Sequence, residues 1–141
     1  MSEYTLPSII PKLIRISSVY IAGRVLKKLL VQNPDGIQGQ QAVSEKKAQL
    51  IYDALEAYPG IYHIIPDKAV RSRMNICFRI EGGDATEEAF LKQGAALGLT
   101  GLKGHRDLRG IRASNYNSVS LEGAEKLTKF IGTFASQLGN Q

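Results

Sequence analysis

The stretch Lys103-Gly104-His105-Arg106-Asp107-Leu108-Arg109-Gly110-Ile111-Arg112-Ala113-Ser114 holds the residue types and spacing that could do chemistry. Four cationic side chains and one imidazole fall within ten positions. Gly104 and Gly110 let a backbone approach a ligand closely. Arginine forks grip carboxylate or phosphate through two parallel hydrogen bonds. A ligand carrying both anions would suit such a loop, with Asp107 neutralising part of its charge. The same composition also describes a solvated turn, as charge runs often do. His105 taken alone reads as a surface or capped histidine. Arg112 fits that reading less well. It sits between Ile111 and Ala113, so on a strand it would leave the sheet on the face opposite theirs, towards a site.

These residues need elements to position them. Residues 1–17 read as irregular, because Pro7 and Pro11 interrupt any helix, and Leu13 to Ile16 suit a short strand. Helical spacing of Val19, Ala22, Leu26 and Leu29 predicts a connecting helix over 18–34, closed by Asn33-Pro34-Asp35-Gly36. An α/β domain follows over 35–141. Its expected elements are a helix from about Gln38 to Tyr58, a strand at Ile61–Ile65 and an alternating strand at Met74–Ile80. A helix after Gly82-Gly83 carries capping-box spacing at Asp84 and Glu87. Leu99–Lys103 and Ile111–Tyr116 suit short strands, and Ser120 suits the N-cap of a last helix. The order fits a two-layer α+β domain, a small and mostly antiparallel sheet with helices on one face.

Composition sets the bounds. The 141 residues suit one ordinary domain. Hydrophobic residues at 43% and charged residues at 22% exclude global disorder or a collagen-like chain. Cys77 is the only cysteine, so no intrachain disulfide forms, and no Cys or His spacing suggests zinc or another metal. The apolar stretch from Thr5 to Val31 is broken by prolines, lysines and arginines, and no basic n-region precedes it. It reads as neither a signal peptide nor a membrane span, and a cytoplasmic location is the expectation. A net charge of +5 and Tyr116 raise nucleic-acid binding, but no RNP, KH or helix-turn-helix signature accompanies them, so none is expected.

Several linked motifs carry a resemblance. Lys103-Gly104-His105-Arg106, Gly110-Ile111-Arg112-Ala113-Ser114, Tyr116-Asn117 and Leu121-Glu122-Gly123 follow one another as KGHR, GG, RAS, YNA and a leucine- and EG-containing helix start do in the phosphoserine aminotransferases. Upstream, Ser72-Arg73-Met74-Asn75 resembles that family's SRMN, and Tyr20-Ile21-Ala22-Gly23 its YIAG-type helix. The match runs in order from about Val19 to Leu138, and makes 35–141 similar to the C-terminal small domain of a fold-type I aminotransferase.

The resemblance implies pyridoxal phosphate as cofactor. It implies transfer of an amino group between glutamate and 3-phosphohydroxypyruvate, giving phosphoserine and 2-oxoglutarate, in serine biosynthesis by a homodimer. Carried over by position, Arg112 would hold the substrate α-carboxylate. His105 and Arg106 would hold its phosphate across the dimer, and Thr5 would touch the cofactor phosphate. Ser72 to Asn75, Tyr116 and Asn117 read instead as core or turn residues, as most residues of these types are. The departures are specific. Tyr4-Thr5-Leu6-Pro7 lacks the family's Asn, residues 10–18 read as an insertion or replacement, and Arg109 stands where the family prefers glycine. No lysine here aligns with the catalytic one, so the chain alone is expected to be inactive. The competing reading is a standalone α/β module that binds a phosphorylated metabolite or a partner protein.

Overall fold

The computed structural model describes residues 10–104 and 109–139, with side chains from residue 16 onward. Two compact units divide the chain at Gln40/Gln41. The first holds helix α1 (Ile10–Gln32) and the first turn of α2 (Gly36–Glu56). Residues 10–17, expected to be irregular or partly a strand, are instead the opening turns of α1. Pro11 permits this because it falls in the first turn, where its missing N–H would have no intrahelical acceptor anyway. Asn33 joins the two helices. Its side-chain amide donates to Leu29 O at 3.1 Å and to Gln40 Oε1 at 2.9 Å.

The stripe expected to be the inner face of α1 is not buried. Val19 is 73% exposed and Leu26 61%, and Tyr20, Ile21, Val25, Leu30 and Val31 are exposed as well. A helix apolar on most sides ordinarily sits inside a protein. Among the described residues no helix is long and apolar enough to cross a membrane.

The second unit is a two-layer α+β structure. Its strands β1 (Tyr62–Ile64), β2 (Asn75–Ile80) and β3 (Ile111–Ser114) form an antiparallel sheet in the order β1-β2-β3. Tyr62, Ile76, Phe78, Ile80, Ile111 and Ala113 face the core, as the period-two pattern requires. There they meet Ile51 and Leu55 of α2, Phe90 of α3 (Gly83–Ala96), and Leu127, Phe130, Ile131 and Phe134 of α4 (Leu121–Gly139). Phe90 is the hub, with ring centroids of Phe130 at 4.6 Å, Phe134 at 5.0 Å and Phe78 at 5.9 Å. Offset and edge-on pairs of this kind add to simple burial.

Two local expectations give way. The run Leu99–Lys103 contributes a single bridge, Lys103 to Ile111, because Gly101 at φ 74° breaks the extended backbone. The capping box at α3 does not form. The N-cap is Gly82, with no side-chain bond. Glu87 turns its carboxylate to β2 instead, accepting from Arg79 Nε at 2.5 Å and Ile80 N–H at 3.3 Å. Ser120 does cap α4, its Oγ accepting from Gly123 N–H at 3.2 Å.

Candidate functional site

The alternation that buries Ile111 and Ala113 turns Arg112 and Ser114 onto the other face of the sheet. Asn75, Cys77 and Arg79 of β2 share that face, and register sets Arg112 directly beside Cys77. Arg112 is thereby held at both levels. Its N–H donates to Leu102 O at 2.8 Å, and its side chain lies half-buried along a cleft of about 520 Å³. Ser72, Asn75, Cys77 and Tyr116 line the same cleft, with Ile65 and Pro66 as an apolar wall.

Local hydrogen bonds fix the polar lining. Ser72 Oγ accepts from Met74 N–H and Asn75 N–H, both at 3.1 Å, which turns the chain into β2. Ser72 O accepts from the Tyr52 hydroxyl at 2.9 Å. Tyr116 donates its hydroxyl to Asn75 Oδ1 at 3.1 Å, across the β2/β3 boundary. Behind Tyr116 stands Lys47, fully buried, whose Nζ donates to Tyr116 O at 2.9 Å and Val119 O at 2.8 Å. Burial pushes this amine's pKa below its ordinary value.

The cations are unequally committed. Among the described residues, ion pairs engage Arg71 with Glu56, Arg73 with Glu45, Arg79 with Asp84 and Glu87, and Arg109 with Asp84. The Glu87 carboxylate raises the pKa of Arg79 further. Arg112 enters no such pair, and its Nε is buried without a hydrogen-bond partner. A buried donor left unpaired costs about 1–3 kcal/mol. Of the two described arginines that line the cleft, Arg109 is thus held by Asp84, and Arg112 is the one with capacity to spare for an anion.

A narrow neck adjoins it. Gly104 N–H donates to Gly110 O at 2.9 Å. A β-carbon on Gly104 would lie 2.2 Å from Arg109 O, and one on Gly110 would lie 2.7 Å from Arg79 Cδ. Gly110 also has φ 73°, so both positions require glycine. Arg109 adopts φ 52°, the very backbone region that glycine favours. Its side chain points to Asp84 on α3, at 2.7 Å. Arg109 thus holds a non-glycine side chain in a backbone conformation that glycine would take without strain.

Of the residues singled out by sequence, Arg112 stands in the cleft. His105, Arg106 and Thr5 lie outside the described residues. Sequence reasoning passed over Lys47, Asp84 and Arg79 as parts of the site's support. Lys47 could have been found, since Ser44, Lys47, Ala48, Ile51 and Leu55 form one helical stripe.

Chemically, the cleft can bind and orient an anion. The described residues do not fit pyridoxal phosphate itself. That cofactor's aldehyde needs a lysine amine, and no lysine lines the cleft, while the buried amine of Lys47 is taken by two carbonyls.

No family model matches the chain. Curated proteins do. The phosphoserine aminotransferase of Saccharomyces cerevisiae is 39% identical over 124 residues, taking in 88% of this chain and 31% of that protein. That of Niallia circulans is 40% identical over 121 residues, 86% of this chain and 33% of that one. Among solved structures, phosphoserine aminotransferase from Bacillus circulans subsp. alkalophilus matches with a TM-score of 0.75 at 40% identity, over 79% of this chain and 30% of that chain. A pyridoxal-phosphate-bound phosphoserine aminotransferase from Trichomonas vaginalis matches with a TM-score of 0.67 at 27% identity, over 74% of this chain and 30% of its own. The chain therefore belongs with the phosphoserine aminotransferases, and it spans about a third of the length of the relatives it matches.

Proposed function

We propose that this chain supplies the substrate-anion grip of a phosphoserine aminotransferase, as its C-terminal portion. The observation that carries the reading is Arg112, a half-buried guanidinium whose Nε has no partner and which lines a walled cleft. In this role Arg112 holds the α-carboxylate of phosphoserine or 3-phosphohydroxypyruvate. His105 and Arg106, next to the neck in sequence, take the phosphate, acting across a homodimer. Thr5 contacts the cofactor phosphate. Pyridoxal phosphate and the lysine that bonds it belong to the rest of such an enzyme, as does the exchange with glutamate. The grip binds and orients; it contributes no proton transfer of its own.

The test is phosphoserine binding to the chain by calorimetry, with Arg112→Ala as comparison. Losing a charge-assisted pair removes about 1.5–3 kcal/mol of binding, so affinity should fall at least tenfold. Equal affinity in the variant would take Arg112 out of the site. Incubation with pyridoxal phosphate, phosphoserine and 2-oxoglutarate should give no sustained glutamate formation. Turnover by the chain alone would mean that one of its own lysines serves the cofactor.

A further inference from the structure

Asp84 lies at the start of α3 and is not among the residues that line the Arg112 cleft. It nevertheless joins two arginines. One carboxylate oxygen accepts from Arg79 Nη2 at 3.3 Å and the other from Arg109 Nη1 at 2.7 Å. The Arg79 side chain is pinned a second time by Glu87, at 2.5 Å, and its Cδ lies beneath Gly110. Arg109 and Gly110 close the neck against Gly104, and the strand that begins one residue later carries Arg112. Asp84 thus connects to Arg112 through a short run of backbone with little freedom.

The backbone at Arg109 needs such a restraint. At φ 52° it occupies a region that a β-carbon disfavours, and nothing in the neck's own hydrogen bonds involves the arginine side chain. The one described contact of its guanidinium is Asp84. We infer that the Asp84–Arg109 ion pair clamps the neck onto α3 and so makes Asp84 a positioning residue for the Arg112 cleft. Its consequence for phosphoserine rests on the function proposed above.

The pair is solvent-accessible, with Arg109 69% and Asp84 60% exposed. Its strength is therefore that of a surface ion pair, which corresponds to an effect of roughly two- to fivefold, erased in about 1 M salt.

The experiment measures amide hydrogen exchange by NMR in the full chain. The reporters are Gly104 N–H, bonded to Gly110 O, and Arg112 N–H, bonded to Leu102 O. Asp84→Asn should speed both by roughly two- to fivefold at low salt, leave amides of α4 unchanged and lose the difference at high salt. Arg109→Gly is the second variant. It takes the left-handed backbone without penalty but has no side chain to pair. The clamp predicts faster exchange in it, with the double variant no faster than Asp84→Asn, which also loses the Arg79 contact. Slower exchange in Arg109→Gly would mean that backbone strain dominates, and would overturn the clamp. Glu88→Gln, an exposed neighbour outside the network, should change nothing, and an equal effect there would also overturn it.

Phosphoserine affinity is the functional readout. Asp84→Asn should weaken it by the same factor, and unchanged affinity with faster exchange would overturn the positioning role. Failure of the unaltered chain to bind phosphoserine would sink the anion reading alone, while the exchange rates still decide the clamp.

Discussion

Replacing Lys47 by methionine keeps an unbranched stem of similar reach and deletes only the ammonium. The native amine is fully buried and donates to Tyr116 O at 2.9 Å and Val119 O at 2.8 Å. Hydrogen bonds from a charged donor contribute about 1.5–3 kcal/mol each, so the pair contributes roughly 3–6 kcal/mol. Opposing this is the desolvation of the ammonium, several kcal/mol for a buried ion, visible as the depressed pKa of the amine. Tyr116 O also keeps the Val119 N–H, at 2.9 Å, after the substitution. The net loss in Lys47→Met should then be about 1–3 kcal/mol. Lys47→Ala also removes the stem and should cost about 2 kcal/mol more, at roughly 0.8 kcal/mol per buried methylene. Urea unfolding at neutral pH, followed by far-UV circular dichroism, measures both. A methionine variant as stable as the parent would show that desolvation cancels the two bonds, and would refute the claim that this lysine holds the 116–119 turn together.

Three other outcomes are expected. Phe90→Ala, at the centre of the ring cluster, should destabilise by about 3–5 kcal/mol in the same assay. Gly110→Ala should cost about 2 kcal/mol or more, combining the left-handed backbone with a β-carbon 2.7 Å from Arg79 Cδ; a neutral effect would mean that Arg79 swings away freely. Burial holds the Tyr62 hydroxyl proton well past the usual tyrosine range, while the unfolded chain releases it near pH 10.0. The folded state then binds the extra proton, so this contribution is intact below pH 10 and erodes by about 1.4 kcal/mol per unit above it. Tyr62→Phe should therefore lose less stability on going above pH 10 than the parent does.

Much of this was legible beforehand. Met74 to Ile80 alternates cleanly, and β2 appears where that alternation lies. The position of Arg112 between two apolar residues sufficed to turn it out of the core. What misled was local chemistry with two possible destinations. Asp84 and Glu87 have the spacing of a capping box, but Arg79 competes for Glu87 and, being charged, wins it. Pro11 reads as a breaker until its place in the first turn is known. Lys47 was hidden because a lysine on a helix is ordinarily solvated; only the turn at 116–119, distant in sequence, supplies the carbonyls that make burial tolerable. Val19 and Leu26 were read as an inner face from periodicity, which records that a face is apolar and not what lies against it.

The unpartnered Nε of Arg112 also bears on how this fold can change over time. On the function proposed above, an anion that paired with Arg112 would also stabilise the fold, so occupancy of the cleft and resistance to unfolding would be linked quantities. The nearest internal partner would stand at the Cys77 position, directly opposite Arg112 in the sheet register. An acidic residue there would relieve the donor from within, and the chain would become sturdier and unresponsive to ligand in the same step. Selection for robustness alone would push that position towards a carboxylate, whereas selection for the proposed binding would keep it neutral. On that reading, the side chain beside Arg112 is where durability and responsiveness would trade against each other.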